Sequence, residues 1–226
     1  MEWVQVSVAM SLDGHIDDRS DARLILSGPE DAYAVHALRA AADAILVGAG
    51  TVRRDDPQLT VRYPDLLAAR LRQGLPPAPM KVALTESGDL PPDAAVFANG
   101  GEKLVLCPAE AAAGVRDRLG ARATVIGLPD CRPSTIIAAL EARGVERLFV
   151  EGGSRVLTQF LASGCFHRLR LAVAPFFVGD PAAPRLVGPA AFRHGKDSRL
   201  EVERTEVLGD VAVIHLVNRR FGAQEG

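Results

Sequence analysis

Two runs of small residues sit where backbone chemistry is easiest to arrange. Gly48-Ala49-Gly50-Thr51 follows the apolar stretch Ala44-Ile45-Leu46-Val47, and Gly152-Gly153-Ser154 follows Leu148-Phe149-Val150-Glu151. A glycine turn between a buried strand and a helix lets backbone amides approach a phosphate, and the helix amino end adds positive potential. A pair of such turns suits the pyrophosphate of a dinucleotide. The same glycines also serve tight strand-to-helix turns with no ligand, and neither run has the GxGxxG spacing of a Rossmann site. The densest charged stretch, Arg53-Arg54-Asp55-Asp56-Pro57-Gln58-Leu59-Thr60-Val61-Arg62, sets three arginines near two carboxylates. It is either an anion-binding segment with an acid at hand or a solvated loop with surface ion pairs. His36 and Arg39, three residues apart on a predicted helix, share a face and belong either to a site or to the surface.

Other chemistries lack their residues. No Ser-His-Asp order, P-loop or HExxH run occurs. The three cysteines, Cys107, Cys131 and Cys165, are odd in number with no CxxC pair, and the five histidines are dispersed, so neither a disulfide framework nor a metal site is expected. With 26 basic and 28 acidic residues the formal charge is -2, which gives no general reason to expect nucleic acid or an anionic membrane as partner. An anionic small molecule would need a local arginine cluster. Acids at Glu2, Asp13, Asp17 and Asp18 argue against a signal or transit peptide, and no window has the apolar length of a membrane span. The expected setting is reducing and cytoplasmic.

The elements that must position these residues follow from patterning. Apolar residues make up 48% and charged residues 24% of the 226, an ordinary globular balance. Residues 4–10 read as a strand that stops at Asp13-Gly14, and a helix is predicted from Pro29 to about Ala42. Residues 44–47 read as a buried strand. A polar helical piece and a Pro-rich loop occupy 63–80. Strands at 81–84, 103–106, 123–126 and 147–150 then alternate with helices at 109–118, 134–142 and 154–163, which implies a largely parallel sheet covered on both faces. Strands at 168–174, 201–208 and 211–217, with Gly209-Asp210 as a hairpin turn, add an antiparallel edge. The expectation is one α/β domain over residues 1–226: a mixed, mostly parallel sheet flanked by helices, with a C-terminal antiparallel hairpin. Strand 211–217, apolar but for His215, would be a liability as an uncovered edge, and a second subunit is one way to cover it.

Taken in order, Ser11-Leu12-Asp13-Gly14, Arg39, the run Asp43 to Val52, Asp55-Asp56-Pro57-Gln58-Leu59-Thr60-Val61-Arg62, Val150 to Ser154, and Ala174-Pro175 through Val178-Gly179 resemble the reductase domain of bifunctional riboflavin-biosynthesis proteins. The resemblance covers roughly residues 3 to 218. It implies a dihydrofolate-reductase-like fold, NADPH as cofactor, usually a homodimer, and reduction of a ribosylaminopyrimidine phosphate to the ribitylamino form. It further implies that Gly48, Thr51, Gly152, Gly153, Ser154, Arg155, Val156 and Leu157 hold the cofactor, with Ala9 and Ile25 on its nicotinamide side. By the same resemblance Arg39, Leu59, Arg62 and Glu151 contact the substrate, and Asp55 stands between cofactor and substrate as acid or proton relay. Glu86 follows strand 81–84 where related chains commonly meet the 2′-phosphate of NADPH with Ser or Arg, so NADH stays open. Ser7 and Arg23 also depart from the family pattern. Two other functions compatible with the fold are reduction of a dihydropterin, dihydrofolate or secondary-metabolite heterocycle, and nucleotide binding without catalysis.

Overall fold

The computed structural model describes residues 1–98 and 100–222. Nine strands, β1 (Trp3–Ser11), β2 (Ala44–Gly48), β3 (Met80–Leu84), β4 (Lys103–Pro108), β5 (Thr124–Leu128), β6 (Arg147–Gly152), β7 (Arg168–Ala174), β8 (Glu201–Leu208) and β9 (Val211–Val217), form a sheet in the order β5-β4-β3-β2-β6-β1-β7-β9-β8. Seven α-helices accompany them: α1 (Pro29–Ala41), α2 (Ala49–Asp55), α3 (Pro64–Arg72), α4 (Ala95–Ala98), α5 (Ala112–Leu119), α6 (Pro133–Glu141) and α7 (Ser154–Ser163). The short α4 is the one α-helix that patterning did not anticipate. The chain forms two compact units, Met1–Glu2 with His36–Phe149, and Trp3–Val35 with Val150–Gly226.

In the first unit β2, β3, β4 and β5 pair in parallel. Every residue of β2 is buried, the signature of a strand covered on both faces. Burying side chains such as Ile45, Leu46 and Val47, each at most 1% exposed, contributes about 1.5–3 kcal/mol apiece before conformational entropy is charged. Arg70 of α3 is buried as well. Its Nε donates to the Pro76 carbonyl (2.6 Å) and its Nη1 to the carbonyls of Ala40 (2.9 Å) and Ala42 (2.5 Å). A guanidinium thereby satisfies carbonyls that the end of α1 leaves without helical partners.

In the second unit β1 and β7 run parallel, and β7, β9 and β8 follow in antiparallel register. Helix α7 buries Val156, Leu157, Phe160 and Leu161 and ends at Gly164 in the left-handed region, φ 71°. Asp31 of α1 and Arg170 of β7 form a hydrogen-bonded ion pair whose side chains are each 2% exposed. Removing either partner would strand a buried charge. Strand 211–217 is not the edge that its composition suggested. β9 lies between β7 and β8, because β8 caps the hairpin and carries the charge, with Glu201, Glu203 and Arg204 exposed. Charged residues on an edge strand discourage unwanted pairing.

Candidate functional site

The first glycine run is plain in the structure. Gly48 closes β2 in an extended conformation, φ -80°, and α2 begins at the next residue. Gly50 is exposed, and a Cβ added there would meet nothing within 4 Å. Thr51 is half-buried in the first turn of α2, and Asp55, also half-buried, is the last residue of that helix. Neither glycine is demanded by the backbone.

The charged stretch after it is an ordered segment. Asp56 takes the left-handed conformation, φ 41°, and its carboxylate accepts from the Ala95 amide (2.6 Å). Leu59 is left-handed too, φ 49°, and its side chain is 1% exposed. From there the chain is tied to α1: the Arg39 guanidinium donates to the Thr60 carbonyl (3.2 Å), and the Arg62 amide donates to His36 Nδ1 (3.2 Å). The rings of His36 and Tyr63 meet edge to face at 5.2 Å. Arg53 forms the surface pair expected of a solvated loop, with Asp89 (3.3 Å). The solvated-loop reading of this stretch therefore describes Arg53. The structure brings Arg39, Leu59 and Arg62 together; Arg39 spends one of its donors on the protein, while the Arg62 side chain is exposed.

The second glycine run is different. Gly152 has φ 116°, and a Cβ there would lie 3.3 Å from Leu157 Cδ1. The Gly152–Gly153 peptide is cis. Gly153 precedes α7, no side chain caps the helix, and the first intrahelical bond runs from the Leu157 amide to the Gly153 carbonyl (3.0 Å). A helix leaves its first amides without intrahelical acceptors, and its dipole favours an anion there. Ser154, Arg155 and Val156 supply those amides. Leu157 does not, since its amide is spent and its side chain is buried beneath Gly152. A backbone conformation that disfavours a side chain, at the amino end of a helix, suits a pyrophosphate.

A strap fastens this turn. The Ser154 hydroxyl donates to the Arg185 carbonyl, and Thr158 Oγ1 donates to the Ser154 carbonyl (2.6 Å) and accepts from the Gly188 amide (2.8 Å). The other side of the strap is held by Asp13, which accepts from the Ser11 hydroxyl (2.5 Å) and the amides of Val178 (3.1 Å) and Gly179 (2.8 Å). The Ser11 hydroxyl first, then the Gly179 and Val178 amides, hold the Asp13 carboxyl well below the usual carboxylate range against the opposing effect of burial. In the sequence Asp13 is marked as part of a motif and by the Asp-Gly pair that ends a strand, neither of which gives it a role.

Ala9 on β1 packs against Ala172, Val211 and Val213, and Ile25 is 78% exposed. Glu151 is half-buried near the end of β6. Glu86 is exposed just past β3, following buried Thr85, whose hydroxyl accepts from the Gly88 amide (3.0 Å). Among the described residues no cluster of His, Cys, Asp and Glu is placed to hold a metal ion, and no helix is long and apolar enough to cross a membrane.

The mostly parallel sheet ending in an antiparallel hairpin is a dihydrofolate-reductase-like fold. The chain belongs to the RibD C-terminal domain family, whose profile matches residues 2–214. It is 32% identical over 212 residues to the 2,5-diamino-6-ribosylamino-4(3H)-pyrimidinone 5′-phosphate reductase of Archaeoglobus fulgidus, covering 92% of this chain and 94% of that one. Its fold matches a pyrimidine reductase-like protein of Corynebacterium diphtheriae with TM-score 0.77 at 23% identity, over 96% of this chain and 91% of that one. The Thermotoga maritima diaminohydroxyphosphoribosylaminopyrimidine deaminase/5-amino-6-(5-phosphoribosylamino)uracil reductase matches with TM-score 0.76 at 23% identity, over 95% of this chain; the match spans 56% of that longer protein.

Proposed function

We propose that this chain is a single reductase domain that converts a ribosylaminopyrimidine 5′-phosphate to its ribitylamino form with NADPH. The observation that carries the reading is the segment Leu59–Arg62, locked by Leu59 burial and by Arg39 and His36, which presents an exposed guanidinium on a fixed backbone. Such a fork suits a phosphate, whose charge and paired oxygens match it. The likeness to the A. fulgidus reductase over nearly its whole length supports the same substrate class.

In this reading the amides of Ser154, Arg155 and Val156 and the Thr51 side chain hold the dinucleotide phosphates, with Ala9 and Ile25 toward the nicotinamide. The nicotinamide supplies hydride when bound. Arg62 and Arg39 hold the substrate, with Leu59 and Glu151 against its apolar and polar edges. Asp55 gives a proton to the ring oxygen of the aminoribose as the ring opens, leaving an imine carbon at C1′ as the hydride acceptor. A homodimer and a cytoplasmic setting complete the proposal.

The test is turnover of ribosylaminopyrimidine phosphate against dihydrofolate, with each cofactor. Arg62→Lys keeps the charge but loses the bidentate fork, so its KM for the phosphate substrate should rise about tenfold while cofactor affinity holds. No turnover of the pyrimidine would overturn the function, and equal loss of both affinities would make Arg62 structural. Cofactor choice turns on Glu86, because a carboxylate beside the 2′-phosphate would disfavour NADPH. Glu86→Arg should move the affinity ratio toward NADPH about tenfold if the side chain faces the ribose. A fixed ratio would remove the reason to consider NADH.

A further inference from the structure

We propose that His36 is a positioning residue for substrate phosphate, acting through Arg62; this rests on the reading of Arg62 as the phosphate clamp. The Arg62 amide donates to His36 Nδ1 at 3.2 Å, and the imidazole is 8% exposed. One turn further along α1, Arg39 donates to the Thr60 carbonyl at 3.2 Å. Thr60 and Arg62 are two residues apart. In an extended chain, alternate residues turn their polar backbone groups to the same edge, where a neighbouring strand would ordinarily pair with them. Among the described residues no strand pairs with residues 60–62, and two side chains at helical spacing supply the acceptor and the donor instead.

The arrangement fixes the chemistry of the ring. An amide can donate to Nδ1 only while that nitrogen keeps its lone pair, so the imidazole is neutral with its proton on Nε2. A protonated Nδ1 would turn an acceptor into a second donor facing the Arg62 amide. The Tyr63 ring contact at 5.2 Å braces the imidazole on the far side of Arg62 in sequence. With Leu59 buried on the near side, the Arg62 backbone is held from both directions. The guanidinium is thus presented from a backbone ordered before ligand arrives, which lowers the entropy cost of binding.

Three variants separate this role from simple stability. His36→Phe keeps a ring against Tyr63 but has no acceptor. His36→Asn can place its side-chain oxygen near the position of Nδ1 and restore the bond. Arg62→Ala removes the clamp itself. We expect His36→Phe to raise KM for ribosylaminopyrimidine 5′-phosphate about tenfold with kcat little changed, and to leave KM for the dephosphorylated compound alone. His36→Asn should recover most of the loss. The double variant His36→Phe/Arg62→Ala should bind the phosphate substrate no worse than Arg62→Ala alone, because coupled residues are not additive.

If Arg62→Ala itself leaves KM unchanged, the clamp reading fails and this inference fails with it. If Arg62→Ala raises KM but His36→Phe does not, or the two effects multiply, the clamp stands and the positioning role is overturned. Should His36→Phe fail to fold, imidazole ¹⁵N chemical shifts of the unaltered protein decide the point. They should report an unprotonated Nδ1 in a neutral ring, and a proton on Nδ1 would sink the proposal.

Discussion

Two strand-to-helix turns that look alike in sequence behave differently in the molecule. After β2, Gly48 has an ordinary extended φ, so its conformation does not demand glycine, and Gly50 faces open space that would accept a side chain. After β6, Gly152 sits at φ 116° with Leu157 close behind it, where an L residue is strained and crowded. The second turn is also fastened, through Ser154 and Thr158, to a strap that Asp13 anchors. A glycine kept for backbone shape marks a turn whose geometry is specified, whereas a glycine with room around it marks one where only a ligand could require its absence of side chain.

That contrast is sharpest at Gly152. Gly152→Val should cost several kcal/mol, from a disfavoured φ (about 1–3 kcal/mol) and overpacking on Leu157 (about 1–3 kcal/mol). A denaturant midpoint unmoved by this change would mean the turn relaxes freely and the contrast is not real.

At the neighbouring position the effect should fall on the ligand. Gly153→Val should weaken cofactor affinity by about tenfold, near 1.4 kcal/mol, while the protein still folds. Titration of the folded variant with NADPH checks it, and unchanged affinity would leave the α7 amides without their proposed role.

The Asp13 anchor adds a pH signature. Its carboxyl is held low in the folded state, so the stabilisation is present above the unfolded value, near 3.9, and is lost as pH falls toward the folded value. Asp13→Asn should therefore lower Tm clearly at pH 7, with the gap to the unaltered protein closing below about pH 4. A gap independent of pH would mean the carboxylate charge is not what holds the strap.

The smallest effect belongs to the other turn. Gly50→Ala should be neutral or stabilising by up to about 1 kcal/mol, since alanine is the better helix former and nothing crowds the site. Because stability is spared, any loss of cofactor affinity in this variant would reveal close approach of a ligand to Gly50.

Much of this architecture was legible along the chain. The strands at 168–174, 201–208 and 211–217 occupy those residues in the structure, and α7 spans the predicted 154–163. Helix α4 escaped notice because four residues, Ala95–Ala98, are too few to show a period. The candidate site was legible as motifs but not as roles. His36 and Arg39 could be set on one helix face from their spacing, yet only the path of residues 59–63 makes one an acceptor and the other a donor. Two glycine runs were equally plausible as phosphate turns, and φ at Gly152 distinguishes them.

The sequence by itself determined the order and kind of every strand and of the longer helices, and the ordered motifs that mark the family, because periodicity, turn residues and short motifs are local properties of the chain. Tertiary structure decided where charge is buried. Arg70, Lys81 and Arg170 are each no more than 2% exposed, although arginine and lysine are ordinarily surface residues. Burial, with Lys103 adding to it, pushes the Lys81 ammonium down to about 8. Arg70 is tolerated because carbonyls at the end of α1 converge on it, and Arg170 because Asp31 meets it across nearly 140 residues of chain. Partners so distant in sequence leave no local pattern, so only the fold brings them into reach.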